Sequence, residues 1–516
     1  MNKNAPVQVV VLGWESATSD RNAFNIATFL GADVRCVSIS ATDVGDAHSI
    51  ARQVPRCRCL ITDAESLARA AEAMPAGASG LGSLIGSAEH VCIFGWQPKE
   101  RHAAILQALS SGGLVGVRPQ GDIHAAFQVA DGHRNWSGPF SGLSVRVADG
   151  RKENVFVEAG GPSGQKVMIR LGCEPFFVRT EYGGSEVCFL ASAELADLDQ
   201  TVRRGTRPLA WFSGLAPLMM FLRGALADRV WHNDRPQACF IIDDPLLKNR
   251  YGFFEYGRLL EAMLHREFAA CIAFIPWNYR RSRKEVAKLV SSCGKTSLCV
   301  HGCDHTGGEF SIRDVNSLRG KAQLALDRMR THSRSSGVPF DEVMVFPQGS
   351  FSTEALKALS RAGYLAAINT HLQPSTVPEG LELRDLLSVA VTRFADFPLF
   401  GRHYPDGLDD FAFDLFLGKP ALAVEHHGYF RNGYTALQAF VARLSDLDER
   451  LEWTNPASIC AHACRTKTAD DGEVYVQFYT NRFHLENDGK QARRYVLLRR
   501  HTGEGPSPSV TVNGRV

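Results

Sequence analysis

Ala238-Cys239-Phe240-Ile241-Ile242-Asp243-Asp244-Pro245 is an apolar run that stops on two adjacent acids. An apolar strand ending this way sets two carboxylates at the carboxyl end of a sheet or barrel, where α/β folds place their sites. Two like charges side by side repel, so the pair persists best where a cation neutralises one of them. A plain strand-to-loop turn, with Asp capping the next segment, gives the same letters.

The pattern recurs downstream. Ser297-Leu298-Cys299-Val300-His301-Gly302-Cys303-Asp304-His305-Thr306 is a second apolar strand, closed by two histidines four residues apart. If the chain turns into a helix near Gly302, positions i and i+4 share a face and can grip one ion. With Asp244 from the first strand end they make two imidazoles and a carboxylate, a common catalytic zinc set that leaves a place for water. Cys303 points elsewhere at that spacing, and Asp304 is placed to support a ligating histidine. Val343-Met344-Val345-Phe346-Pro347-Gln348-Gly349-Ser350-Phe351-Ser352 predicts a strand, a turn and then a helix from Thr353, with Ser352 as N-cap and Gly363 as C-cap. Pro420-Ala421-Leu422-Ala423-Val424-Glu425-His426-His427-Gly428 is one more apolar strand with histidines at its end, one of them a partner for the acidic pair.

In this order the motifs resemble the polysaccharide deacetylases of carbohydrate esterase family four, over about two hundred of the 516 residues. The resemblance implies an irregular (β/α) barrel with fewer than eight strands. It implies a carbohydrate substrate that loses an N- or O-linked acetyl group, and a divalent metal, zinc first. Carried over, Asp243 is the base, Asp244, His301 and His305 hold the metal, and His426 is the acid, with His427 turned toward packing or solvent. The chain also departs from the family. Ile242 and Pro245 flank the acids where the family has its Phe and Gly, and Val345 stands where an Arg normally pairs with the base. Arg393 or Arg402 is expected to supply that guanidinium from another loop. The long stretch before His426 implies extra loops over the site. Two rivals remain: an inactive carbohydrate-binding or assembly protein that kept the barrel, and a metal-dependent amidase acting on a non-sugar substrate.

A chain of 516 residues exceeds one ordinary core. Short apolar runs alternating with helical patterns over 1–130 predict a doubly wound α/β accessory domain. Residues 131–230 read as a β-rich module, or an insertion completing the first domain, with a helical connection. Residues 231–435 hold the deacetylase-like barrel, and 436–516 a C-terminal helix and a small β-domain resembling a sandwich. The first strand runs into Val11-Leu12-Gly13-Trp14-Glu15-Ser16, which is neither a dinucleotide fingerprint nor a P-loop. A formal charge of +2 without a basic stripe argues against nucleic acid. Val7–Leu12 is too short for a signal-peptide core. Trp211–Leu222 is shorter than a membrane span and is closed by Arg223, so a buried helix is expected. Thirteen scattered cysteines without a Cys-x-x-Cys pair fit buried thiols in a reduced, cytoplasmic setting.

Overall fold

The computed structural model describes residues 7–14, 18–40, 54–74, 80–122, 124–147, 152–160, 164–375, 380–487 and 492–499. It is a mixed α/β protein built on two large sheets. In the first, Val34–Ile39, Val7–Trp14, Cys57–Asp63, Ala88–Phe94 and Ser185–Leu190 lie side by side and parallel. Glu174–Tyr182, Lys166–Leu171, Phe127–Val129 and Ser144–Val145 extend the sheet antiparallel. The sheet therefore runs across residue 130.

The fifth parallel place corrects the sequence reading. One of the short apolar runs of the first 130 residues, 113–117, reads from sequence as a further strand of that parallel sheet; it forms Leu114–Pro119, which leaves the main sheet and pairs with Asn154–Glu158. Its buried residues are confined to two positions, as suits a ribbon wet on one side, whereas Ser185–Leu190 is buried almost throughout, as a central parallel strand must be. The apolar helix Phe212–Leu226 packs between helix Thr18–Phe29 and the strands Cys57–Asp63, Ala88–Phe94 and Ser185–Leu190. The stretch Pro208–Arg229 around it is long and apolar enough to cross a membrane, but 78% of its apolar window is buried inside the fold.

The second sheet curls. Gln237–Asp243, Ala270–Phe274, Thr296–His301, Phe340–Val345, Ala366–Asn369 and Leu399–Gly401 follow one another in parallel, and Ala421–Glu425 pairs with Gln237–Asp243 on its other side. His403 closes the gap: its N–H donates to Leu422 O at 2.9 Å and its carbonyl accepts from Val424 N at 2.9 Å. Seven strands leave a narrow interior. It is filled by Cys239, Ile241, Cys271, Ala273, Cys299, Val343, Val345, Ile368, Phe400 and Leu422. Ile459 and Cys460, on helix Pro456–Ala461, and Tyr479 join the same cluster at the amino end. None of the thirteen cysteines forms a disulfide.

The predicted strand–turn–helix is present as Phe340–Val345, Pro347–Gly349 and Thr353–Ala362. Ser352 Oγ accepts from Ala355 N, and Gly363 takes the left-handed conformation at φ 91°. The expected C-terminal sandwich is, among the described residues, one three-stranded sheet of Cys464–Thr468, Val474–Phe478 and Tyr495–Leu498. The polar run 509–512 also reads from sequence as a strand of that domain, and it lies outside the described residues.

Candidate functional site

Alternation along the barrel strands sends every second side chain inward. Ile241, Cys299, Phe400 and Leu422 face inward, so the same parity carries Asp243, His301, Arg402 and His426 into the mouth at the strands' carboxyl ends. This one rule gathers residues 159 positions apart in sequence.

Asp243 is buried, and Arg402 grips it with two parallel hydrogen bonds, Nη1 to Oδ1 at 2.8 Å and Nη2 to Oδ2 at 2.7 Å. Burial pushes the Asp243 carboxyl up; the Arg402 guanidinium, helped by His301 and His426, outweighs it and holds the group below the usual carboxylate range. Of the two arginines singled out by sequence, Arg402 thus meets the acid. Arg393 does not: it donates to Glu382 at 2.9 Å and Asp385 at 3.2 Å.

Asp244 turns away from the strand with a left-handed φ of 82° and reaches the histidines. Its Oδ1 lies 3.2 Å from Nε2 of both His301 and His305. The rings of His301 and His305 are 4.8 Å apart between centroids. His301 Nδ1 is 3.1 Å from Val345 O, and because a carbonyl only accepts, Nδ1 carries the proton. In the neutral ring that leaves a lone pair on Nε2, aimed at Asp244. The contacts meet in distance but not in hydrogen-bond geometry, and Asp244 Oδ1 is a buried atom without a hydrogen-bond partner among the described residues. Donor atoms of the three residues all lie within 4.8 Å of one another. Lone pairs converging in this way repel unless a cation sits among them. Two imidazoles and a carboxylate suit a divalent ion that keeps a position open.

The expected helical turn after Gly302 is absent. Gly302 has φ 63° and His305 φ 59°, so the two histidines meet through a loop rather than along a helix face. Sequence reasoning missed what shapes this loop. The buried Glu309 carboxylate accepts from the backbone N–H groups of Cys303 at 2.9 Å, Asp304 at 3.1 Å and His305 at 3.2 Å. Lys321, on helix Val315–Ser336, pairs with Glu309 at 3.4 Å. Gly302 lies so close that a Cβ there would stand 2.1 Å from Glu309 Oε1. The signal available in sequence was Gly307-Gly308-Glu309, a tight-turn pair followed by an acid just beyond the histidines. Asp304, expected to support a histidine, is drawn instead to Arg328 at 2.6 Å and Lys321 at 3.7 Å, because these cations offer it more than a neutral ring can.

His426 Nε2 lies 3.9 Å from Asp243 Oδ2, with its side chain 46% exposed. His427 points the other way. It packs edge-on to Tyr251 at 5.5 Å and stacks with Phe253 at 6.1 Å, above Gly252, whose missing Cβ would stand 2.4 Å from His427 Nδ1. This histidine therefore fastens the Arg250–Glu255 hairpin beside the mouth.

No protein-family model matches the chain, and no curated protein matches its sequence. Among solved structures, Agd3, a carbohydrate deacetylase, matches with a TM-score of 0.50 and 9% identity over 90% of this chain and 90% of its own. The fold is that of a carbohydrate deacetylase. At this identity the likeness is one of fold alone. A family 4 carbohydrate esterase from Streptomyces lividans in complex with acetate has a TM-score of 0.26 and 10% identity, covering 42% of this chain and 91% of that one. A pseudoenzyme of the same family from Bacillus anthracis has a TM-score of 0.29 and 12% identity, covering 47% and 72%. Scores this low carry no functional weight.

Proposed function

We propose that this chain is a metal-dependent hydrolase that removes an acetyl group, N- or O-linked, from a carbohydrate. The observation that carries the reading is the meeting, at one barrel mouth, of an Asp244–His301–His305 donor set with a buried, Arg-clamped Asp243. Asp244, His301 and His305 would hold a divalent cation, zinc being the best match to the ligands. Such a cation supplies Lewis-acid polarisation of the acetyl carbonyl and lowers the pKa of water at the site.

The protein's own groups do the rest. Asp243, kept ionised by Arg402, accepts the proton of the attacking water. Arg402 fixes both carboxylate oxygens, so the base has one orientation. His426, within reach of the Asp243 side of the mouth and open to solvent, donates a proton to the departing nitrogen or oxygen. A positioned base or acid of this kind contributes on the order of a hundredfold to ten-thousandfold.

Metal content and acetate release test this together. The purified chain should hold about one divalent ion and release acetate from acetylated chito-oligosaccharides or aryl acetates. His301→Ala and His305→Ala should each lose most of the ion. Asp243→Asn should keep it and lose roughly a hundredfold or more of the activity. A chain that binds ion and sugar yet releases no acetate from any of these is the inert binding protein, and the hydrolase reading falls.

A further inference from the structure

A cavity of about 290 Å³ opens beside the site, against Arg402. One wall comes from outside the barrel. The short strand Thr201–Val202 pairs with Leu381–Glu382, and the segment that follows it brings Arg203 and Arg207 into the lining. The barrel contributes His371, from the loop after Ala366–Asn369, and Tyr404 and Asp406, from the loop after Leu399–Gly401. Arg207 is tied to Asp410. Among the described residues no hydrogen bond or ion pair holds the side chains of Arg203 or Asp406. Arg402 itself is only 5% exposed, and its Nε–H has no partner among the described residues. A buried donor left unmet costs free energy unless something that binds there accepts from it.

The surface adds an independent sign. Among the described residues only three aromatic side chains are exposed: Phe253 at 37%, Trp277 at 54% and Tyr404 at 43%. All three follow barrel strands at their carboxyl ends, on the face that carries Asp243 and the histidines. Exposed aromatic groups confined to one face suit a binding surface, and Tyr404 is the one of the three that lines this cavity. Aromatic faces suit the C–H face of a sugar ring, and a lining that holds both an arginine and an aspartate suits neutral hydroxyls, which both donate and accept. The balance of one cation and one anion without partners argues against an anionic ligand.

We propose that this cavity is a sugar subsite, which takes one pyranose ring adjoining the ring whose acetyl group faces Asp243. Tyr404 stacks on the ring, while Arg203, Asp406 and the Nε–H of Arg402 meet its hydroxyls. The substrate is then a chain of at least two sugars, and the segment preceding the barrel takes part in recognising it. Which ring lies next door rests on the deacetylase reading, but binding in the cavity does not require catalysis.

Equilibrium binding therefore tests it apart from activity, with N-acetylglucosamine and its β-linked dimer and tetramer as probes. The wild-type chain should bind the dimer at least about tenfold more tightly than the monomer. Tyr404→Ala, Arg203→Ala and Asp406→Asn should each remove most of that ratio, and Tyr404→Phe should keep it, which separates stacking from a folding defect. Equal affinity for monomer and dimer in the wild type overturns the subsite. So does a length preference that survives Tyr404→Ala and Asp406→Asn. Acetate release measured on the same samples reports on the deacetylase reading alone.

Discussion

Two carboxylates are buried in the same barrel, one at each end, and their neighbours treat them differently. Asp243 at the mouth receives both arms of the Arg402 guanidinium and stays below the usual carboxylate range in spite of burial. Asp341, near the floor and 8% exposed, is eased by the Ser297 hydroxyl and the Ala457 N–H; among the described residues it pairs with no cation and its Oδ2 lacks a hydrogen-bond partner. Burial pushes the Asp341 carboxyl up to about 6. Depth alone therefore does not set the charge state of an acid; a matched cation does. The end of the barrel that carries the guanidinium is the end to which the proposed function assigns proton transfer.

The most damaging way to break this contrast is Arg402→Met. It leaves Asp243 buried without its cation, which should cost about 3–5 kcal/mol of stability, measured by denaturant unfolding. Arg393→Met, whose arginine is part-exposed and bonds both the part-exposed Glu382 and the buried Asp385, should cost less than Arg402→Met in the same assay. Equal losses would mean that the Asp243 pair is no more than a surface contact.

The floor sharpens the contrast in the other direction. Asp341 binds its proton more tightly folded than unfolded, since its carboxyl rises from 3.8 to about 6. Its contribution is therefore most favourable below about pH 4 and is lost as pH rises through about 6. Asp341→Asn should be more stable than the wild type at pH 7, by up to about 3 kcal/mol, and the difference should vanish near pH 4. Thermal unfolding of both proteins across that range checks the sign.

A smaller effect than those of Arg402 and Asp341 concerns the loop between His301 and Glu309. Glu309→Gln keeps the shape of the side chain but removes the charge that gathers three backbone N–H groups. Metal affinity should fall about ten- to a hundredfold, as for other residues that orient ligands from behind, while the unfolding midpoint of the metal-free chain moves little. Unchanged affinity in a metal titration would reduce Glu309 to a structural acid.

The strand ends were the legible part of the sequence. Apolar runs stopping at Asp243-Asp244, at His301 and at His426 state both the strand and its direction, because a buried parallel strand has few other ways to end in polar residues. The choice between Arg393 and Arg402 was open, since it depends on which strand the arginine follows and with what parity. Phe400 faces inward, so Arg402 does too, but that needs the sheet. The helical turn that the His301–His305 spacing would allow near Gly302 is not the route taken, because spacing reports which side chains can meet and not the backbone between them. Two left-handed residues and a buried acid make the same meeting without a helical turn. In the first sheet, local pattern made Leu114–Pro119 a strand but could not say that Ser185–Leu190 would return to take the place beside Ala88–Phe94.

The cysteines of the barrel have a use as markers. Cys239, Cys271 and Cys299 line its interior, and burial raises all three thiols, although contact with Cys271 opposes the rise at Cys299. A thiol held in its protonated form and shut away from solvent reacts slowly with alkylating reagents. Cys36 and Cys173, by contrast, are exposed. Covalent labelling of the native chain therefore separates into a prompt class at the surface and a delayed class of buried thiols, which includes Cys57, Cys59, Cys92 and Cys188 of the first sheet. Within the delayed class, the labelling of Cys239, Cys271 and Cys299, read site by site, is paced by how often the barrel strands part and records opening of the barrel without any engineered probe.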